Sequence, residues 1–160
     1  MTIRVGLGYD SHRFLAGRPL ILGGVVVPHD RGLAGHSDAD AVAHALTDAI
    51  LGAAGLGDIG TLFPPTDPQW KDADSIALLR LAHERAVAAG WRLHQADVTV
   101  VAEAPRIGPH ARAMAARLAD ATGADPALIG IKGKTNEGMG WIGRGEGLAA
   151  LAVATLELAR

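Results

Sequence analysis

Cysteine is absent from the 160-residue chain, which removes disulfides, thiolate metal sites and thiol nucleophiles and leaves His, Asp and Glu as the available metal ligands. That absence agrees with a reducing, cytoplasmic setting. Aromatic residues are scarce, at three Trp, one Tyr and two Phe, so the core must be built chiefly from aliphatic and small side chains. A strong charge imbalance is also missing. The formal net charge is -2, which does not suit a general polyanion binder and argues against nucleic acid as a partner. The apolar run 148–158 is too short for a bilayer span, which takes about 20 residues. The N-terminus lacks a signal-peptide core and is interrupted by Arg4. A soluble cytoplasmic protein without membrane association is expected.

What is present is glycine, 21 residues of it, within a composition that is 49% hydrophobic and 20% charged. The length fits a single domain over 1–160 with a substantial core. Alternation of Ile3, Val5 and Leu7 with Arg4 and Gly6 predicts a strand leading into a turn at Asp10 and His12. Residues 19–28 read as a hairpin around Gly23-Gly24. A helix is expected from Ser37 to about Leu51, with Ser37 and Asp40 resembling a capping box and glycines ending it over 52–60. Three prolines make 62–68 a loop. Helices over 74–89 and 109–123, strands over 97–102 and 129–132, and a glycine-rich loop over 133–147 follow. The final segment, 148–158, has helical propensity.

Alternate residues of a strand share a face, so Asp10 and His12 can converge on one ion. His44, on the expected first helix, is either a packed core histidine or a third ligand, and Asp48 lies one turn beyond it as a candidate orienting carboxylate. Three protein ligands with one open position are the catalytic form of a zinc site. His36 could fill the fourth position, but it and Ser37 precede a helix start, where an anion is favoured. The loop Gly133, Lys134, Thr135, Asn136, Glu137, Gly138 offers N–H groups, a hydroxyl, an ammonium and a carboxylate. A carboxylate beside phosphates needs an intervening hard cation, so Glu137 implies magnesium or manganese. Asp58, on a glycine-rich turn, either stops a helix or accepts bonds from substrate hydroxyls. Arg144, between glycines, is either a solvated charge or a phosphate clamp.

Four stretches, GLGYDSHRF, GHSDADAVAHALTDAILGAAGLGDIGTLFP, AEAPRIGPH and TNEGMGWIGRGEG, together resemble the 2-C-methyl-D-erythritol 2,4-cyclodiphosphate synthases of non-mevalonate isoprenoid biosynthesis. The resemblance runs almost end to end. It implies an α+β fold, a mixed sheet packed against helices on one side, assembled as a homotrimer with the sheets at its core and active sites between subunits. By that pattern 148–158 is a core strand, against its propensity. The implied substrate is 4-diphosphocytidyl-2-C-methyl-D-erythritol 2-phosphate, cyclised with release of CMP.

The resemblance carries over residue by residue. Asp10, His12 and His44 match zinc ligands, and Glu137 matches the residue approaching magnesium or manganese. His36 and Thr135 match transition-state stabilisers, and Ser37 helps hold phosphate. Asp58, Ile59 and Gly60, with the loop from Phe63 to Asp67, match the region around the methylerythritol. Ala102, Arg106, Ile107 and Gly108, with Gly133, match the cytidine pocket. Trp141 and Arg144 match residues facing a cavity on the trimer axis that can hold isoprenoid diphosphates. Departures are Lys134 where Thr is frequent, Gly133 for Ala, Pro65 for Asp, Arg106 for Lys and Trp141 for Phe. The residues alone leave open a zinc-dependent phosphohydrolase and a non-catalytic trimeric binding protein.

Overall fold

Alternating side chains over Ile3–Leu15 form β1, which continues straight through Asp10 and His12 instead of turning there. This is seen in a computed structural model that describes residues 2–159. Met1 and Arg160, the ends of the expected 1–160 domain, lie outside the described residues. The hairpin forms as expected from β2 (Leu20–Leu22) and β3 (Val25–Val27), and β4 (Gly32–Leu33) pairs with the end of β1. Then come α1 (Ala41–Ala54), the short α2 (Ile59–Leu62), α3 (Ser75–Ala88), β5 (Trp91–Val101), α4 (Ala111–Thr122), β6 (Ile129–Lys134), the short α5 (Gly140–Gly143) and β7 (Gly147–Leu158).

The main sheet has the order β4-β1-β7-β5-β6, antiparallel except for the β5–β6 pair. Helices α1, α3 and α4 pack on the sheet, giving the mixed α+β architecture. The segment with helical propensity is β7. It lies between β1 and β5, paired from Arg13↔Gly147 to Ile3↔Glu157 on one side and from Val101↔Ala149 to Trp91↔Leu158 on the other. Pairing along both edges satisfies its backbone, and this tertiary context overrides the weak local preference of alanine and leucine.

Side chains of β1 and β7 alternate between a helix-covered face and a bare one. Ile3, Val5, Leu7 and Tyr9, with Leu151 and Val153, stand on the bare face at 38 to 68% exposure. On the covered face β1 presents Gly6 and Gly8, which meet the backbone of α1 directly. A Cβ at Gly8 would sit 1.8 Å from the Ala45 carbonyl oxygen, and one at Gly6 would sit 1.9 Å from that of Ala49. Two strand residues advance about 6.6–6.8 Å and four helical residues about 6.0 Å. The glycine pair of β1 therefore matches the Ala45, Ala49, Ala53 ladder of α1. Arg4 closes the far end, its guanidinium 4.4 Å from the Trp91 ring centroid and donating to the Ala54 carbonyl at 3.2 Å, at the open C-terminus of the helix.

Several boundaries differ from the sequence expectation. Helix α1 starts at Ala41, not Ser37, and its cap is Asp40, whose carboxylate accepts from Ala43 N–H. The same carboxylate accepts from Gly23 and Gly24 N–H at 2.8 and 2.7 Å, tying the hairpin turn to the helix start. The helix runs through Gly52 and ends at left-handed Gly55. Within the expected loop 62–68, Asp67 caps a 3-10 turn at Pro68–Trp70. Pro109 lies in a 3-10 turn before α4, and β6 extends two residues further than expected.

His83, on α3, accepts the Leu93 N–H at 3.1 Å beside an irregularity in β5. Burial holds its pKa below the ordinary histidine value, against the nearby Glu84 charge. The unfolded chain therefore binds a proton first as pH falls below about 6.5, and stability carried by neutral His83 is lost as pH drops toward the folded-state value. Urea unfolding at pH 7 and pH 5 should show a smaller acid-induced loss in His83→Gln than in wild type.

Candidate active site

Two elements converge at the candidate metal-ligand cluster. β1 brings Asp10 and His12 to one face, and α1, held close by the glycine contact, brings His44 opposite them. Asp10 Oδ2 lies 2.7 Å from His12 Nε2 and 3.0 Å from His44 Nδ1, and the two nitrogens are 3.4 Å apart. The side chains are only 12 to 25% exposed.

The outer ring nitrogens determine what the inner ones can do. His12 Nδ1 lies 2.7 Å from the Ala34 carbonyl, which can only accept, so Nδ1 carries the proton and Nε2 turns a lone pair inward. Ser75 donates its hydroxyl proton to Asp38 Oδ1, and its oxygen, 2.7 Å from His44 Nε2, accepts from that ring. His44 Nδ1 therefore also turns a lone pair inward. Three acceptors facing one another need a cation or a proton among them. In the protein without metal, burial raises the Asp10 pKa, but the hydrogen bonds and charges of the two histidines outweigh it and hold the carboxyl below its ordinary value. Burial lowers that of His12, but the bond to Asp10, the charges of Asp10 and Asp40 and the Ala34 carbonyl together outweigh it, and the net shift is upward. A tetrahedral zinc with bonds of about 2.0–2.1 Å separates its donors by about 3.3 Å. The histidine nitrogens already match that spacing, and the carboxylate needs a few tenths of an ångström of opening. The donor set fits a divalent metal.

Asp48, one turn beyond His44 and the expected orienting group, does not bond to it. That carboxylate instead accepts the Ile59 N–H at 2.7 Å, fixing the start of α2. The orienting groups are Ser75 and Asp38, which come from other segments. Asp38 also accepts the Ser75 N–H at 3.0 Å, at the N-terminus of α3. Ser75→Ala should keep all three ligands yet weaken metal binding by roughly 10- to 100-fold, the usual effect of losing a group that orients a ligand. Competition with a chromogenic chelator checks this.

Beside the cluster lies a cavity of about 200 Å³ lined by His12, His36, Ser37, His44, Ile59, Gly60, Phe63, Pro65, Trp70 and Leu78. His36 and Ser37 are here because of the loop between β4 and α1, not because of a helix N-terminus. The first turn of α1 is already supplied with an anion by Asp40. Ser37 Oγ lies 3.2 Å from His44 Nε2 and accepts the Ala39 N–H. Asp58 acts as the helix cap, its Oδ1 accepting both the amide and the hydroxyl of Thr61 at 2.7 Å.

A second cavity, about 580 Å³, is lined by Ala102, Glu103, Arg106, Ile107, Gly108, Gly133, Lys134 and Thr135, among others. Among the described residues, none lines both cavities. One chain thus brings together the metal ligands with His36, Ser37, Ile59, Gly60 and Phe63, and separately Ala102 to Gly108 with Gly133 to Thr135. Trp141 lines a third cavity with Ser11, His12, Arg13 and Glu146, and Arg144 pairs with Glu146 at 2.9 Å. The loop after β6 differs from the expected anion cradle. The Asn136 and Gly138 N–H groups both point at Glu103 Oε1, at 2.9 and 3.1 Å.

The YgbB family model matches residues 3–157. A 2-C-methyl-D-erythritol 2,4-cyclodiphosphate synthase from Bordetella petrii is 60% identical, over 98% of this chain and 96% of that protein. One from Gemmatimonas aurantiaca is 56% identical, over 98% and 94%. Among solved structures, a 2C-methyl-D-erythritol-2,4-cyclodiphosphate synthase in its CDP-bound form superposes with a TM-score of 0.87 at 43% identity, covering 96% of this chain and all of that one. The bifunctional IspDF from Campylobacter jejuni reaches a TM-score of 0.95 at 43% identity, with 99% of this chain spanning 43% of that longer one. By sequence over nearly its whole length, and by fold, this chain belongs to the YgbB family.

Proposed function

We propose that the protein is a cytoplasmic 2-C-methyl-D-erythritol 2,4-cyclodiphosphate synthase, acting in non-mevalonate isoprenoid precursor synthesis through one catalytic domain over 1–160. It converts 4-diphosphocytidyl-2-C-methyl-D-erythritol 2-phosphate to the cyclic diphosphate and CMP. The observation that carries this is the trio of inward lone pairs on Asp10, His12 and His44 at the mouth of the His36/Ser37 cavity.

In the reaction the 2-phosphate oxygen bonds to the β-phosphorus of the diphosphate as the bond from that phosphorus to the CMP oxygen breaks. Both partners are anionic, and their repulsion is the main barrier. Asp10, His12 and His44 would hold zinc and Glu137 would approach magnesium or manganese, and such ions would neutralise phosphate charge when bound. His36 and Thr135 donate to the phosphoryl oxygens where charge builds up, Ser37 holds phosphate, and Lys134 adds a positive charge. Ala102, Arg106, Ile107, Gly108 and Gly133 hold the cytidine, while Asp58, Ile59, Gly60, Phe63 and Asp67 enclose the methylerythritol. Asn136 shapes the phosphate loop, its side chain donating to the Met139 carbonyl at 2.8 Å.

We also infer a homotrimer with the active site shared between neighbours. The support is physical. The bare face of β1 and β7 is a continuous apolar strip that a partner would cover, and the two cavities hold complementary halves of one site. Trp141 and Arg144 then face the trimer axis.

Incubation with the diphosphocytidyl substrate tests the activity. Cyclic diphosphate plus CMP, lost on chelation and restored by metal, is expected. Linear hydrolysis products would point to a metal-dependent phosphohydrolase instead, and no turnover would reject both.

A further inference from the structure

Glu103 stands on the loop after β5 and lines the cavity assigned to cytidine, yet its carboxylate is turned toward the next loop. There a single oxygen, Oε1, accepts both the Asn136 and the Gly138 N–H. Between these two amides sits Glu137, whose φ of 54° lies in the left-handed region that a non-glycine residue seldom adopts. Its own N–H is turned to Thr135 Oγ1 at 3.3 Å. Such a backbone conformation persists when its surroundings fix it. The fixing group here is a carboxylate caught by two amides, and charge-assisted bonds of this kind are about twice as strong as neutral ones. The Asn136, Glu137 and Gly138 amides are therefore committed inside the protein. From this stretch the loop offers a substrate the side chains of Lys134, Thr135 and Glu137.

We propose that Glu103 is a positioning residue, a strut between the two loops that fixes Thr135 and Glu137 in their working orientation beside the nucleotide pocket. It touches no reacting atom. It acts by holding the αL turn at Glu137, so the side chains credited with phosphate chemistry are presented from the pocket that grips the other end of the same substrate. This rests on the roles proposed above for Thr135 and Glu137.

Two variants test the strut. Glu103→Ala removes both bonds. Glu103→Gln keeps a carbonyl oxygen with two lone pairs and so can still accept both amides. In the metal-loaded enzyme, Glu103→Ala should lower kcat by roughly 10- to 100-fold, the usual effect of a misplacement of about 1 Å. The Kd for CMP should change less than about threefold, because pocket contacts other than this side chain remain. Hydrogen exchange across 135–139 should rise in Glu103→Ala, and Glu103→Gln should restore both rate and protection. Wild-type kcat and protection in Glu103→Ala would overturn the proposal. So would a Glu103→Gln variant as slow and as exposed as Glu103→Ala, or a loss of CMP affinity equal to the loss of kcat. If wild-type enzyme forms no cyclic product, the assigned activity falls and the exchange comparison alone decides the strut.

Discussion

Asp10→Asn is expected to abolish turnover and lower metal affinity more than about a hundredfold, beyond the range for losing a group that merely orients a ligand. Asp10 Oδ2 is the hub of the cluster, the atom nearest to both inward-facing nitrogens. An amide oxygen carries no charge to hold a divalent ion against two neutral imidazoles. The fold itself should survive. Asp10 and His12 are 25 and 17% exposed, and the metal-free variant should lose only about 1 kcal/mol, the scale of a partly solvated ion pair. Metal content by mass spectrometry, paired with urea midpoints in the presence of chelator, separates the two effects. Normal metal content in Asp10→Asn would remove the residue from the ligand set.

Gly8→Ala should have the largest structural effect of any single methyl group in the chain's first strand. Its Cβ would overlap the Ala45 carbonyl oxygen at 1.8 Å and approach Ala49 N at 2.8 Å. Both are backbone atoms of α1, so no side chain can rotate aside. The helix must move, at about 3 kcal/mol or more, the upper end of overpacking effects. His44 lies one residue before Ala45 and moves with it. The variant should therefore lose metal affinity as well as stability, although every ligand is intact. A Gly8→Ala protein with wild-type metal affinity and melting temperature would show that the helix has slack the close contact does not suggest.

The parts of the site carried by short-range pattern were legible in the sequence. Asp10 and His12 are two apart on a strand and so share a face. His44 sits in a segment whose helical pattern needed no tertiary knowledge. Ser75 and Asp38 were not legible. Ser75 reaches His44 from another segment and Asp38 acts on it only through Ser75, which reads locally as the first residue of a helix. Asp48 was the reverse case: its spacing from His44 was right for an orienting group, but the Ile59 amide had taken it. The same limit applies to β7, where the preference of an alanine- and leucine-rich segment yields to neighbours on both edges. Glu103 was visible as a residue of the AEAPRIGPH stretch, but its bonds to Asn136 and Gly138 depend on β5 and β6 lying side by side in parallel.

The meeting of β1 with α1 through Gly6 and Gly8 has a consequence for how the metal ligands respond to heat and to distant substitutions. Glycine and alanine have no side-chain rotamers, so this joint has nothing to repack and little to loosen by degrees. Most contacts in a core can absorb a disturbance by shifting side chains between alternative packings. A backbone-to-backbone seat cannot, and its spacing is inherited from covalent geometry. The distance between the strand that carries Asp10 and His12 and the helix that carries His44 should thus stay constant up to the temperature at which the whole fold is lost. Metal affinity should end with the fold at that temperature, without a preceding decline.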